Sequence, residues 1–316
     1  MKYKDIRNSF YANYIHKFKK NGIQAGIRVE NLNIELYDTV SNNSTKLLPY
    51  LSVNHKFNTS NSLRLSYNQR LSYPTYYQLN PYVYYTADSI SSNAGNSNLL
   101  PETSHNIKTQ LSHNKNDLYF SFSLGYRNIN DIIVETMQSS NGRVSSKYNN
   151  MGKAEKYISS INFSTTLFDY LDFDAYLELS YTNFKERIEH NGFSYYSELE
   201  LYMPLFWDID LDVSIVLYSK DILFNGYEEE NLIIDEISIS KSILNDNLTI
   251  GFSVWEPFFK SKSNEKVWDD TYTQTSNYEF VNSTCYMLNL SYVFDKGRNN
   301  KKISTKLNME DNYNGK

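Results

Sequence analysis

The stretch Ile209-Asp210-Leu211-Asp212-Val213-Ser214-Ile215-Val216-Leu217-Tyr218 decides the fold. Its odd-numbered residues are all aliphatic, and its even-numbered residues from 210 to 214 are all polar. A period of two puts alternate side chains on opposite sides of an extended chain, so the segment is a strand with one apolar and one wet side. The same alternation runs through Phe173, Ala175, Leu177, Leu179 and Tyr181, interleaved with Asp174, Tyr176, Glu178 and Ser180. A soluble sheet would bury its apolar side in a core. A transmembrane barrel turns that side to lipid and keeps polar groups inside.

Similar segments predict 13 strands, at 6–19, 22–37, 47–58, 61–70, 104–115, 118–128, 155–167, 171–184, 193–203, 209–218, 232–243, 248–255 and 278–294. Many exceed the ~5–6 residues usual in soluble sheets. Ten or eleven residues, rising roughly 3.3 Å each and tilted near 45°, cross a membrane core. Short turn signals fall at Asn21-Gly22, Asn58 to Asn61, Asn114 to Asp117, Phe168 to Leu171, around Pro204, and at Leu244 to Asn247. They alternate with long polar segments at 71–103, 129–154, 185–192, 219–231 and 256–276. That alternation is the barrel pattern, with short connections at the periplasmic rim and long ones outside the cell. An odd count leaves the first and last strands running the same way. Exposed strand edges are untenable in lipid, so strands from upstream of Met1 or from another chain are expected to complete the wall.

Composition agrees. Tyr contributes 29 residues and aromatics 16 %, which suits β structure and the aromatic girdles of a membrane barrel. Mean hydropathy is -0.58, a value compatible with a barrel because half of each strand faces water. No uninterrupted run of 18 apolar residues occurs, which argues against transmembrane helices. The start, MKYKDIRNSFYANYIHKFKK, lacks an apolar signal core, so export requires a removed signal or a longer gene product. A net charge of -5 gives no reason to expect a nucleic-acid partner.

No catalytic constellation is present. His16, His55, His105, His113 and His190 form no His-Glu-x-x-His pair, and there is no Gly-x-Ser-x-Gly elbow or phosphate-binding glycine loop. Cys285 stands alone, which excludes an internal disulfide and a multi-cysteine metal site. It is expected as a packed small residue within a strand. Glu228-Glu229-Glu230 reads as a solvated charge run, with divalent-cation binding as the sharper alternative. No metal, cofactor or enzymatic activity is expected.

From Arg70 the chain reads RLSYPTYYQLNPYVYY, and GNSNLLPE follows. These segments resemble the barrel region of TonB-dependent outer-membrane receptors. More narrowly, they resemble an outer-membrane β-barrel family marked by Arg-x-x-x-Pro, Leu-Asn-Pro-aromatic and Gly-Asn-Pro-x-Leu-x-Pro-Glu. The matching residues are Arg70, Pro74, Leu79, Asn80, Pro81, Tyr82, Gly95, Asn96, Leu99, Pro101 and Glu102. Ser97 replaces the family's proline. Trp255-Glu256-Pro257-Phe258 resembles its acidic-Pro-Phe segment, and Leu288 to Phe294 its closing strand. Asn282 to Thr284 stand where the family often has an arginine.

The resemblance implies a 22-stranded barrel with an amino-terminal plug, coupled to a TonB-type energy-transducing complex for active uptake. This chain matches the last 12 to 14 strands, residues 1–295, with a polar tail at 296–316. The expected fold is therefore all-β, an antiparallel transmembrane β-barrel segment in the bacterial outer membrane. Its expected partners are outer-membrane lipid and the missing amino-terminal barrel and plug, with a surface lipoprotein as a further candidate. Three rivals stand beside it: a self-contained passive pore of 12 or 14 strands, an adhesion or assembly barrel binding another surface protein, and a soluble β-sandwich.

The residues carry their own reading of the motif loop. Pro74 and Pro81 keep it out of the ladder, while Gly95 and Asn96 suit turn conformations. Tyr76, Tyr77, Tyr82, Tyr84 and Tyr85 either contact cargo or brace one another. Lipid contact is expected for Leu51, Val53, Leu63, Leu65, Phe122, Leu124, Leu177, Leu179, Leu211, Val213, Ile215, Ile250, Phe252, Leu288 and Leu290. Arg64, Asp174, Glu178, Asp210 and Asp212 are expected to face the lumen.

Overall fold

The structure, a computed structural model, describes residues 3–36, 40–85, 90–185, 190–222, 228–229, 232–259, 262–269, 272–279 and 284–294. Its strands are β1 (Tyr3–Phe18), β2 (Asn21–Leu36), β3 (Val40–Lys56), β4 (Asn61–Ser72), β5 (Val83–Tyr85), β6 (Ser91–Ala94), β7 (Glu102–Lys115), β8 (Leu118–Asn130), β9 (Ile133–Ser140) and β10 (Arg143–Asn150). There follow β11 (Lys153–Leu167), β12 (Leu171–Lys185), β13 (His190–Pro204), β14 (Ile209–Tyr218), β15 (Glu228–Glu229), β16 (Leu232–Ile243), β17 (Leu248–Trp255), β18 (Lys262–Asp269), β19 (Tyr272–Glu279) and β20 (Cys285–Tyr292). One short helix, α1 (Tyr76–Leu79), lies in the loop after β4.

Thirteen strands form one sheet in the order β1-β2-β3-β4-β7-β8-β11-β12-β13-β14-β16-β17-β20. Every pairing in it is antiparallel. The count matches the thirteen strands read from alternation. The last expected span, 278–294, is corrected: Tyr272–Glu279 pairs with β18 in a separate three-stranded sheet, and only Cys285–Tyr292 joins the wall. The segment 129–154 is also more than a polar loop. It folds into the β9–β10 hairpin, whose Asn141-Gly142 tip has φ of 51° and 73°, the left-handed pair a two-residue hairpin turn requires. Cys285 is exposed rather than packed. Residues 295–316, Asn282 and Glu230 lie outside the described residues.

The wall has two rims. Tight connections join β1 to β2, β3 to β4, β7 to β8, β11 to β12, β13 to β14 and β16 to β17. Several use consecutive left-handed residues, Phe168-Asp169, Trp207-Asp208 and Leu244-Asn245-Asp246. A positive φ is unfavourable for a bulky side chain. Phe168 and Trp207 adopt it with rings projecting into the open, 76 % and 77 % exposed.

At the opposite rim the sheet splits between β3 and β4. Their ladder stops at Tyr50 and Asn68, although β3 pairs with β2 as far as Val40 and β4 pairs with β7 as far as Ser72. Lys56 N reaches Lys20 O on the β2 side, and Phe57 N reaches Asn61 O on the β4 side. Odd-numbered β3 residues therefore aim their amides at β4. Pro49 has no amide to aim, so the ladder loses the next bond on that side.

No second layer covers the wall among the described residues. Among the described residues the buried hydrophobic side chains are Leu32, Ile34, Leu79 and Leu99 in one cluster and Val134, Ala154, Phe184 and Ile222 in another. Both clusters sit where long loops fold back at the split rim. A soluble sandwich of this length would bury a far larger core, so that rival fails.

Candidate functional site: a two-faced wall and its loop cap

The register carries one apolar face across the whole sheet. Leu63, Leu111, Phe122, Ile161 and Leu177 are successive partners across β4, β7, β8, β11 and β12. Leu211, Ile239, Phe252 and Leu288 continue the face through β14, β16, β17 and β20. All fifteen residues expected to meet lipid fall on it. Leu65, Leu124, Leu179, Leu288 and Leu290 are exposed, and side chains of this size left in water forgo about 1.5–3 kcal/mol each.

Aromatic rings bound this face at two levels. Tyr126, Tyr157, Tyr181 and Phe193 form a chain of ring contacts, with centroids 5.2, 6.5 and 4.8 Å apart, toward the long-loop rim. At the tight-turn rim Phe168 pairs with Tyr170 at 6.2 Å and Phe206 with Trp207 at 6.0 Å. Tyr157 and Phe168 belong to the two levels, on β11 and the turn that follows it. Eleven residues of strand rising ~3.3 Å each at a tilt near 45° span about 25 Å, the height of an outer-membrane apolar band.

The opposite face is polar and electrically divided. On β1 to β4 it carries Arg7, Lys17, Arg28, Lys46, Lys56, Arg64 and Arg70. Lys108, Arg127 and Lys156 follow on β7, β8 and β11. Asp5, Glu30 and Glu102 are the acids in this sector. On β12 to β16 the same face holds Asp172, Asp174, Glu178, Glu198, Glu200, Asp210, Asp212 and Glu236, and no lysine or arginine.

These acids meet hydroxyls. Tyr176 and Tyr196 donate to Glu178 and Glu198 at 2.8 and 2.9 Å, Tyr202 to Asp210 at 2.8 Å, and Thr166 to Asp172 at 2.7 Å. Neutral donors satisfy the oxygens without cancelling their charge. The ion pairs among the described residues lie elsewhere, as Arg7–Asp5, Arg28–Glu30, Lys4–Glu35 and Lys185–Glu155. A cleft of about 440 Å³ opens beside Glu178, Tyr196 and Tyr218. A second, of about 560 Å³, lies in the β3–β4 split among Arg7, Arg28, Glu30, Tyr50 and Arg70.

This division is legible in the sequence as a charge asymmetry. Residues 1–166 hold 18 Lys and Arg against 10 Asp and Glu, whereas residues 167–294 hold 7 against 23. Asymmetry between halves is the signal that would have found it.

The motif loop caps the split rim. Thr75 and Gln78 form a capping box at α1, with Gln78 N donating to Thr75 Oγ1 at 3.3 Å and Thr75 N to Gln78 Oε1 at 2.8 Å. Asn80 O accepts from Gly95 N at 2.8 Å, and Gln78 O from Asn96 N at 2.7 Å. Asn96 Nδ2 donates to Tyr148 O at 3.0 Å and Glu102 Oε1 accepts from Ile133 N at 2.8 Å, tying the loop to the β9–β10 hairpin. Gly95 and Asn96 were expected to adopt special turn dihedrals. Neither has a positive φ. Gly95 instead answers a close backbone approach, since a Cβ there would lie 2.5 Å from Asn80 O and 2.6 Å from Gln78 O.

Leu79 is fully buried, Pro74 and Pro101 are buried, and Pro81 is exposed. Arg70 stays on the polar face in the split. Just beyond it, Tyr73 donates to Glu30 and lies under the Arg7 guanidinium, 4.3 Å from ring centroid to Cζ. Burial, and next the Glu30 carboxylate, push the Tyr73 phenol well above its ordinary value. Of the five loop tyrosines, Tyr77 stacks on Tyr84 at 6.3 Å and meets Tyr148 edge-on at 6.3 Å, and Asn80 Nδ2 donates to Tyr84. Tyr76, Tyr82 and Tyr85 are exposed on the same loop. Among the described residues no group of three or more His, Cys, Asp or Glu is arranged to hold a metal ion.

The sequence matches the outer membrane protein beta-barrel family over residues 1–292. Similar solved structures include the copper transporter OprC (TM-score 0.69, 11 % identity, covering 92 % of this chain and 50 % of that one). The FrpB iron transporter from Neisseria meningitidis is another (0.62, 14 %, 92 % and 46 %), as is a ferric enterobactin receptor from Pseudomonas aeruginosa (0.61, 16 %, 92 % and 45 %). The chain thus spans about half the length of these structures. No curated protein sequence matches it.

Proposed function

The chain belongs to the outer membrane protein beta-barrel family, and from that premise we propose that it forms the carboxy-terminal wall and external loops of a receptor for active, TonB-type nutrient uptake. Its residence in the outer membrane and its receptor-like barrel fold are the firm base. The single observation that carries the reading further is the direction of the edge strands. β1 and β20 both run from the long-loop rim to the tight-turn rim, and each has one neighbour among the described strands. Antiparallel closure therefore requires an odd number of further strands between them. A 22-stranded barrel with nine more strands meets that condition, whereas a 12-stranded pore, or one closed by the thirteen described strands alone, does not.

In this reading the apolar face meets lipid and the polar face encloses a plug domain carried by the same precursor or by another chain. The capped loop presents Tyr76, Tyr77, Tyr82, Tyr84 and Tyr85 toward cargo or a surface lipoprotein. The plug engages the energy-coupling complex, and the chain itself does no covalent chemistry.

The test is uptake by cells carrying the complete gene product. Growth on a limiting nutrient should require both this wall and the energy-coupling protein. Steady ion conductance from the purified chain alone, with uptake independent of coupling, would refute the reading in favour of a passive pore.

A further inference from the structure

We propose that the tips of the β1–β2 and β3–β4 hairpins form a binding site for anionic phospholipid headgroups in the leaflet at the tight-turn rim. The proposal rests on the outer-membrane reading above, which supplies the leaflet. β1 and β3 run to that rim and reach it with the same tripeptide, His16-Lys17-Phe18 at the end of β1 and His55-Lys56-Phe57 across the end of β3. In each copy the imidazole and the phenyl ring share the apolar face, with centroids 5.3 Å apart in the first and 4.9 Å apart in the second. The lysine between them has the opposite parity, and the first turn adds Lys19 and Lys20.

The two tips are joined. Lys56 N donates to Lys20 O at 2.7 Å. Lys20 Nζ donates to Phe57 O at 3.1 Å, so its ammonium sits against the neighbouring tip. His55 Nδ1 lies 2.7 Å from Asn21 Oδ1 across the same junction. Residues 16–22 and 54–61 contain no carboxylate. Rings at the edge of the apolar band fix the depth of the tips in the interface. Lys19 and Lys20 in the turn supply charge at the phosphate level, and Lys17 and Lys56, which lie on the polar face at the strand ends, reach that level past the rim on stems long enough to snorkel. The tight turns farther along the wall set a carboxylate beside any lysine: Asp117 follows Lys115, Asp208 follows the Trp207 carbonyl to which Lys241 Nζ donates at 2.6 Å, and Asp169 and Asp246 occupy the other two, which leaves the β1–β4 end as the carboxylate-free stretch of this rim.

The test uses the protein as it sits in the outer membrane, excised with its surrounding lipid in polymer-bounded nanodiscs. The ratio of anionic to zwitterionic phospholipid is measured by mass spectrometry. Enrichment of about threefold over the bulk membrane is expected from several lysines near one surface, falling to the bulk ratio in K17Q/K19Q/K20Q/K56Q. The variant K46Q/K108Q/K147Q/K156Q removes equal charge away from the tips and should keep the enrichment. If the first quadruple fails to assemble, K19Q/K20Q, confined to the turn, should still lower the ratio. A bulk ratio around the wild type, or equal loss in both quadruples, overturns the site. Cargo uptake scored in the same cells separates the two readings. Uptake without enrichment removes only the lipid site, whereas absence of the protein from the outer membrane removes the reading beneath it.

Discussion

Gly95 N donates to Asn80 O at 2.8 Å, and a Cβ on Gly95 would stand 2.5 Å from that same oxygen. The contact joins the two halves of the motif loop, backbone to backbone, and leaves no room for a side chain. Gly95→Ala should therefore displace the loop at a cost of about 1–3 kcal/mol, the usual range for overpacking. Limited proteolysis should show the 73–101 segment cleaved faster in the variant, while the wall keeps its resistance to heat in detergent. Unchanged cleavage would mean the backbone yields without cost.

The apolar and polar faces can be separated by neighbouring residues. Val213 lies on the apolar face opposite Leu201 and Ile237, and Asp212 on the polar face opposite Tyr202 and Ser238. Val213→Arg should cost ~2–4 kcal/mol in a vesicle-folding assay, and Asp212→Asn should leave assembly nearly intact. Equal damage from the two would contradict the face assignment.

Much of this wall was readable because strand alternation is a local, repeated signal. The strands around Leu177, Val213 and Phe252 could be placed from it, and so could the tight turns. The external structure was not readable in that way. The β9–β10 hairpin lacks alternation and depends on Asn96 and Glu102 reaching it from distant positions, and on Asn150 accepting from Leu100 N. Gly95 suggested a turn because glycine signals φ freedom and close approach equally, and only the Asn80 carbonyl distinguishes them. The electrical division of the polar face needed the register, which no single strand reveals.

The acidic sector predicts a salt effect. Glu200 shares its neighbourhood with Glu198, Asp212 and Asp174, and no lysine or arginine lies on that face of β12 to β16. Like charges on adjacent strands repel by roughly 1 kcal/mol per pair in a water-rich setting, and salt screens the repulsion. Urea midpoints of vesicle-folded protein should rise between low and high salt. The triple variant E198Q/E200Q/D212N should already stand at the higher midpoint in low salt. A midpoint insensitive to salt in the wild type would indicate that the hydroxyl donors alone balance the sector.

The Tyr73–Glu30 contact predicts a pH window. The folded state holds the phenol proton more tightly than the unfolded chain does, because burial and the Glu30 carboxylate both disfavour the phenolate. The contribution is therefore complete below the unfolded value of ~10 and is lost as pH rises beyond it. Protease protection of the motif loop should be flat from neutral pH to about 9 and fall above ~10. Tyr73→Phe should be less protected at neutral pH and lose this part of the fall. An unaltered alkaline profile in the variant would assign the fall to other tyrosines.

Pro49 offers the sharpest test of the split rim. The odd-numbered amides of β3 point at β4, so Pro49→Val restores the one donor whose loss coincides with the end of the ladder. Gln69 lies next beyond Asn68 and is its natural partner. Hydrogen exchange should then be slow at the amide newly supplied by the substitution and should slow at Gln69, and the cleft among Arg7, Arg28 and Arg70 should narrow as β3 and β4 close. The Tyr73–Glu30 contact opposes this closure, since it draws the chain after β4 across the polar face toward β2. Pro49→Val combined with Tyr73→Phe should zip farther than Pro49→Val alone. Exchange that stays fast in both variants would show that the loop, rather than the missing amide, holds the strands apart.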